Sequence, residues 1–124
     1  MKPSRICLLF SAVAFLFGCG GSSSPTEVTM SPPSATATVA ATPAIAFTPG
    51  TVALLVGGTL TINFGSVAHN VYFDGQPAGA PANITGANAN VSKSLTFSVA
   101  GTYVYDCHIH PGMHGTVVVT PPTR

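Results

Sequence analysis

Short runs in which apolar and polar residues alternate fill much of the chain beyond residue 45. Apolar side chains recur with a period of two in residues 59–64, 95–99 and 102–107. Such alternation places the apolar side chains of a β-strand on one face, and these runs lack the 3.6-residue period of a helix. Glycine and proline separate the runs at short intervals. The pattern therefore predicts an all-β domain, a sandwich or barrel of about seven strands.

The predicted strands cover residues 45–47, 52–56, 59–64, 69–74, 91–99, 102–107 and 115–120. Their buried faces are expected to carry Leu60, Ile62, Phe64, Leu95, Phe97, Val99, Tyr103, Tyr105 and Cys107. Residues 75–90 are rich in glycine, alanine, proline and asparagine, and we predict a loop there. A loop of this length in so small a domain is usually functional or mobile.

The first residues have the pattern of an export signal. Lys2 and Arg5 precede an apolar, uncharged run from Ile6 to Phe17. As a helix this run would rise about 18 Å, too short to cross a bilayer, and it is typical of a signal peptide. The run ends in LFGC, which resembles the bacterial lipobox, where the cysteine is lipidated and becomes the new N-terminus. We expect residues 1–18 to be removed and Cys19 to anchor the protein in the membrane.

Residues 19–44 are predicted to be a flexible linker. A Gly-Gly-Ser-Ser-Ser run follows Cys19, and the serine-, proline- and threonine-rich remainder shows no apolar period. A polar tether suits an anchored domain and favours lipidation over an ordinary signal in which Cys19 has no role. An extra edge strand around Ala35–Ala41 is the alternative. The folded domain is then expected over residues 45–122, exported and held at the cell envelope, on its periplasmic face or the cell surface.

The low charge of the chain narrows its possible partners. Asp, Glu, Lys and Arg make up 6% of the residues, against about a quarter in a typical globular protein. A surface this poor in basic residues excludes nucleic-acid binding through a basic patch. The low charge also excludes disorder driven by charge repulsion. We expect a monomer that binds no nucleic acid.

One turn near the end of the chain, CHIHPGMHG from Cys107 to Gly115, concentrates the residues with metal-binding chemistry. Cys107 offers a thiolate, His110 an imidazole and Met113 a thioether. His69, the only histidine outside the turn, offers a second imidazole. Two imidazoles and a thiolate with a weak axial methionine define a blue copper site. Zinc is a poorer match because its structural sites use four strong ligands.

The same residues have alternative interpretations. Cys107 could be a buried free thiol, but an odd cysteine in an exported protein needs an explanation. Cys7 would leave with the signal and Cys19 would be lipidated, so no disulfide partner remains for Cys107. Met113 alone would be an ordinary core residue, but its spacing from Cys107 favours a ligand. We therefore prefer a metal site.

The folded part resembles the cupredoxins, the family of plastocyanin, pseudoazurin and amicyanin. The matching pieces are His69-Asn70-Val71, Gly101-Thr102-Tyr103 and Cys107-x2-His110-x2-Met113-x-Gly115. The resemblance implies an eight-stranded Greek-key sandwich with one type 1 copper near one end. The ligands that it implies are His69, Cys107, His110 and Met113. It also implies that Asn70 hydrogen-bonds across to the cysteine turn and so holds the ligands still.

The predicted function is single-electron transfer without catalysis. With four protein ligands on copper, no coordination position stays open for a substrate. A redox partner is expected to dock near His110, among small and apolar residues. The alternative is a copper-binding, delivery or tolerance protein without rapid electron transfer. A nitrite reductase-like enzyme would need a second copper with three more histidines, and His108 and His114, interpreted as surface or loop residues, are too few.

Overall fold

The computed structural model describes residues 30–124, which form eight β-strands and no helix. The strands are β1 (Ser34–Thr42), β2 (Ala46–Thr48), β3 (Thr51–Phe64), β4 (His69–Phe73), β5 (Ile84–Asn88), β6 (Val91–Phe97), β7 (Gly101–Asp106) and β8 (His114–Thr120). The predicted all-β class is confirmed. No helix capable of spanning a membrane occurs in this part of the chain. The predicted signal, residues 1–18, and the predicted lipidation site, Cys19, lie outside the described residues.

The long strand β3 joins the two halves of the sheet. The strand order is β2-β1-β3-β8-β7-β4-β5, and β6 pairs with β3 off this path. Residues 51–55 of β3 pair with β8, whereas residues 58–64 pair with β6 and residues 59–64 with β1. Apolar side chains from all eight strands meet in one buried cluster. The sheet therefore closes over a common core, as in a β-sandwich.

The two strands predicted at residues 52–56 and 59–64 form one continuous strand. Gly57 and Gly58, which were expected to separate them, lie inside β3 where it changes partners. Gly57 has a φ of 84°, and a Cβ on Gly58 would lie 2.7 Å from the carbonyl oxygen of Leu55. The two glycines thus allow an irregularity within the strand, a common role of glycine there, without ending it.

The first strand lies in the segment predicted to be a linker. The linker prediction for residues 19–44 is wrong over Ser34–Thr42, and the folded domain begins at Ser34 rather than at residue 45. The alternative, an extra edge strand around Ala35–Ala41, is confirmed over most of its length, because β1 pairs with β3 throughout. The short β2 covers its other side only at residues 40–42. Val39 is fully buried. Its neighbours are mostly alanine and threonine, which are too weakly apolar to give a clear period of two.

A second strand lies in the segment predicted to be a loop. Within residues 75–90, the strand β5 pairs with β4 through His69↔Asn88 and Val71↔Ile84, with a shift of register between them. Its sequence, ITGAN, contains glycine and asparagine, which are depleted in strands, and Gly86 has a φ of 77°. Backbone pairing with β4, rather than strand propensity, therefore defines β5.

The predicted buried face agrees with the structure at eight of its nine residues. The buried ones are Leu60, Ile62, Phe64, Leu95, Phe97, Tyr103, Tyr105 and Cys107. Val99 is 48% exposed, because β6 ends at Phe97, two residues earlier than predicted. Beyond that end, the backbone carbonyl of Val99 accepts a hydrogen bond from the Tyr103 hydroxyl at 2.7 Å. Val99 thus contributes to the core through its backbone and not through its side chain.

Candidate metal centre

Neighbouring strand ends bring the predicted ligands to one end of the sandwich. His69 is the first residue of β4, and Cys107 directly follows β7. β4 and β7 are adjacent and antiparallel, so the start of one lies beside the end of the other. His110 and Met113 lie in the turn that leads from β7 to β8. This turn is closed by backbone hydrogen bonds from Cys107 N–H to Met113 O, 2.9 Å, and from Met113 N–H to His110 O, 3.2 Å.

Three of the predicted ligands face a common point. The Cys107 Sγ lies 3.8 Å from His69 Nδ1 and 3.7 Å from His110 Nδ1, and the two Nδ1 atoms are 3.1 Å apart. A point equidistant from the three atoms is about 2.1 Å from each, within the range of zinc–nitrogen and zinc–thiolate bonds, about 2.0 to 2.3 Å. The three side chains therefore fit a first-row metal ion in a trigonal arrangement.

The predicted ligands differ in how much of each side chain is exposed to solvent. His69, Cys107 and Met113 are buried, whereas His110 is partly exposed. Among the described residues, His69, Cys107 and His110 are the only group of three or more histidine, cysteine or acidic side chains gathered closely enough to hold a metal. The buried thioether of Met113, in the same turn, remains the predicted fourth ligand.

The carbonyl of Thr42 orients the buried histidine. It lies 3.1 Å from His69 Nε2, so it accepts a hydrogen bond when the ring proton is on Nε2 and leaves Nδ1 free to bind a metal. Burial and the nearby His110 lower the pKa of His69, against a smaller opposite effect of the Thr42 hydrogen bond. A neutral His69, the form that ligates metals, is thereby favoured. Sequence reasoning missed Thr42, because a backbone carbonyl in a supposed linker carries no side-chain signal.

Asn70 connects the two halves of the site. Its buried side-chain Oδ1 accepts a hydrogen bond from the backbone N–H of His108 at 2.7 Å. The expected bond from Asn70 to the cysteine turn is therefore present, and it uses the backbone of residue 108 rather than a side chain. On the other side, Asn88 Nδ2 donates to the carbonyl of His69 at 3.2 Å. This second support from β5 was also missed, because β5 was predicted to be a loop.

The two remaining histidines lie outside the ligand group, at the surface, as predicted. The exposed His108 ring stacks on Tyr72, with ring centroids 4.0 Å apart and planes 7° from parallel. The exposed His114 has its Nδ1 3.1 Å from the carbonyl of Gly112. Neither side chain belongs to the group around Cys107.

A buried thiolate with two imidazoles and a nearby buried methionine is the donor set of a type 1 copper protein. The comparison with known proteins agrees. The family model of copper-binding proteins of the plastocyanin/azurin family matches residues 34–120, so the chain belongs to this family. The match begins at Ser34, the first residue of β1. The family and the site together are consistent with one type 1 copper per chain.

Individual relatives give the same result. Plastocyanin of Scenedesmus fuscus is 38% identical over 86 residues, 61% of this chain and 88% of that protein. Amicyanin of Paracoccus denitrificans is 45% identical over 67 residues, 52% of this chain, and the match spans only 50% of that protein. A solved structure of a reduced Cu(I) amicyanin variant superposes with a TM-score of 0.58 at 33% identity, covering 67% of this chain and 80% of that chain. The expected cupredoxin fold is thus confirmed.

Proposed function

We propose that this protein carries single electrons between redox partners at the cell envelope. The observation that carries the proposal is the triangle of His69 Nδ1, His110 Nδ1 and Cys107 Sγ, whose size suits a copper ion. Copper bound by a thiolate and two imidazoles cycles between Cu(II) and Cu(I) and so takes up and releases one electron.

The contribution of the protein is to hold these ligands still. The Thr42 carbonyl holds His69, and two backbone hydrogen bonds close the turn between Cys107 and Met113. A site fixed in this way needs little rearrangement when the charge of its ion changes, and that supports fast electron transfer. With Met113 as the fourth ligand, the chain itself fills the coordination sphere. We therefore propose an electron carrier and not an enzyme.

Electrons would enter and leave at the end of the molecule that contains His110. The ring of His110 is the partly exposed ligand, and its sequence neighbours Ile109, Pro111 and Gly112 are small or apolar. Val67 and Ala68, also small or apolar, directly precede the ligand His69. Ile109 is 40% exposed. An uncharged surface of this kind suits a small and transient contact with a redox partner. The proposed export and lipid anchoring through Cys19 depend on the sequence pattern alone.

The visible spectrum tests the copper site. A form that lacks residues 1–19, mixed with one equivalent of Cu(II), should show an intense thiolate-to-copper absorption band. Cys107→Ser should abolish the band because it removes the thiolate, while Ser98→Ala, an exposed change outside the site, should leave it intact. Stoichiometric copper binding without the band in the unmodified protein would refute a type 1 site.

A copper-delivery function is the alternative, and the partial exposure of His110 is what favours it. An exposed ligand gives an acceptor protein a point of attack on the bound ion. The two functions differ in what happens to copper during redox cycling. An electron carrier keeps its copper through repeated oxidation and reduction, whereas a delivery protein loses Cu(I) to a competing chelator in the reduced state.

A further inference from the structure

An aromatic stack lies beside the metal centre without contributing a ligand to it. The ring of His108 packs on the ring of Tyr72, with centroids 4.0 Å apart and planes 7° from parallel. His108 directly follows the thiolate ligand Cys107 in the chain. His108 is exposed and Tyr72 is partly exposed, so burial in the core does not force the two rings together. The contact between the rings themselves therefore holds the stack.

The stack lies where the backbone pairing of β4 with β7 ends. The pair nearest the metal centre is Tyr72↔Asp106. Continued by two residues, this antiparallel register would place His108 opposite Asn70, but the backbone pairing stops before that point. Instead, the side-chain Oδ1 of Asn70 accepts a hydrogen bond from His108 N–H at 2.7 Å. A side chain thus takes the place of the next backbone partner.

Residue 108 is consequently held on β4 at two points. Asn70 holds its backbone N–H, and Tyr72 holds its ring. Asn70 and Tyr72 are two residues apart on one strand, so their side chains leave the same face of β4. Rotation of residue 108 about its Cα would break one of the two contacts. Together they fix the orientation of the peptide unit that joins His108 to Cys107.

We propose that Tyr72 is a positioning residue for the Cys107 thiolate and acts through the ring of His108. The stack keeps the His108 N–H directed at Asn70, and the fixed peptide unit then keeps the Cys107 Sγ at its place beside the two imidazoles. Neither ring of the stack binds the metal. The proposal rests on the proposed function, because a thiolate that is held still is what fast electron transfer requires.

Hydrogen exchange of the His108 amide in the copper-free protein tests this role, with the full chain in detergent. Tyr72→Ala removes the stack, and we expect the His108 N–H to exchange about fivefold faster, as for the loss of one aromatic contact. Tyr72→Phe keeps an aromatic ring and should exchange as slowly as the unmodified protein. The Thr116 N–H, which donates to Gly50 O at 2.9 Å, reports on the fold as a whole and should stay within twofold.

The copper-loaded protein gives a second measurement. Tyr72→Ala should slow electron self-exchange about threefold, because a less firmly held thiolate rearranges more when the ion changes its charge. Tyr72→Phe should keep the rate of the unmodified protein. Val104→Ala, which shortens another exposed side chain on the neighbouring strand β7, is the matched control and should change neither measurement.

Three outcomes would overturn the proposal. The His108 amide could exchange equally fast in Tyr72→Ala and in the unmodified protein, or the amides of His108 and Thr116 could accelerate together, which would mean that Tyr72 supports the whole fold. A faster His108 amide with an unchanged self-exchange rate would show that the stack holds residue 108 without holding the thiolate. Failure of the proposed function is distinguishable, because it appears as a missing blue absorption band, whereas the amide comparison needs no copper.

Discussion

The hydroxyl of Tyr105 is the one buried side-chain polar atom in the described residues that lacks a hydrogen-bond partner. Its ring is fully buried and packs edge-on against Phe47, with ring centroids 4.8 Å apart. Burial raises the pKa of Tyr105 far above its usual range, so the hydroxyl stays protonated. The hydroxyl of Tyr103, two residues earlier, does have a hydrogen-bond partner, because it donates to the carbonyl of Val99.

This contrast gives a paired prediction. Tyr105→Phe removes a desolvated hydroxyl without a partner, and we expect it to raise the free energy of unfolding by about 1 kcal/mol. Tyr103→Phe removes a hydroxyl that forms a hydrogen bond, and we expect a loss of about 1 kcal/mol. Urea unfolding of the copper-free proteins measures both. If both variants lose stability to the same extent, then Tyr105 has a partner such as an ordered water.

The lowered pKa of His69 makes a prediction for the copper-free protein. The unfolded chain binds a proton on this ring more readily than the folded chain does. The contribution of His69 to stability is therefore fully present above its unfolded pKa, about 6.5, and is lost as the pH falls through the lower folded value. Unfolding free energies measured from pH 8 down to pH 5 should fall more steeply for the unmodified protein than for His69→Gln. Parallel profiles for the two proteins would contradict a lowered pKa of His69 in the folded state.

At the scale of the elements, a strand was predictable from the sequence when its apolar residues form a clear period of two. The buried apolar side chains recur with a period of two in residues 59–64 of β3, in β6 and in β7, and these stretches were predictable from the sequence. β1 buries only Val39 and Ala41, and β5 contains glycine and asparagine. Both depend on backbone pairing with distant strands, and a local sequence pattern does not report such pairing.

A substitution in β1 tests whether this strand is part of the fold. Val39→Ala removes two methyl groups from a fully buried position, and we expect a loss of about 2 kcal/mol in unfolding free energy. The neighbouring Thr38→Ala changes an exposed side chain and should stay within about 0.5 kcal/mol of the unmodified protein. If residues 34–42 were a linker, then both changes would be neutral.

At the scale of the whole molecule, the candidate site was more predictable than the fold around it. Cys107, His110 and Met113 lie in one turn, so their spacing is visible in the sequence, and His69 was the only histidine left to complete the set. The supports were not visible. The Thr42 carbonyl and the Asn88 amide come from the two strands that the pattern missed. The ligands are thus local in the sequence, whereas the groups that orient them depend on the complete fold.

Metal binding should stabilise the whole domain, because the unfolded chain does not bring His69 near Cys107. With free copper at a thousand times its dissociation constant, we expect about 4 kcal/mol of added stability. For a domain of this size, the melting temperature should then rise by roughly 20 °C. Calorimetry with and without copper measures the rise, and Cys107→Ser should show a much smaller one. Equal melting temperatures for the copper-loaded and copper-free protein would rule out tight binding.

The scarcity of charge in the described part of the chain also limits how the protein would meet the proposed redox partner. Only Lys93, Arg124, Asp74 and Asp106 carry charged side chains in the described residues. Long-range steering by charge should therefore be weak, and the association rate should change less than threefold between low and high salt. Stopped-flow electron transfer at several ionic strengths measures it. A steep fall of the rate with salt would show that charges guide the encounter.

The course of β1 has a directional consequence. Its last residue, Thr42, contacts the ligand His69, and its first residue, Ser34, lies eight residues earlier along an extended strand. At about 3.3 Å per residue, Ser34 is roughly 26 Å from Thr42. The chain thus enters the domain at the pole opposite the metal centre. Any attachment upstream of Ser34 would hold the domain at the end opposite the metal centre. His110 would then face away from the attachment point and be accessible to the proposed redox partner.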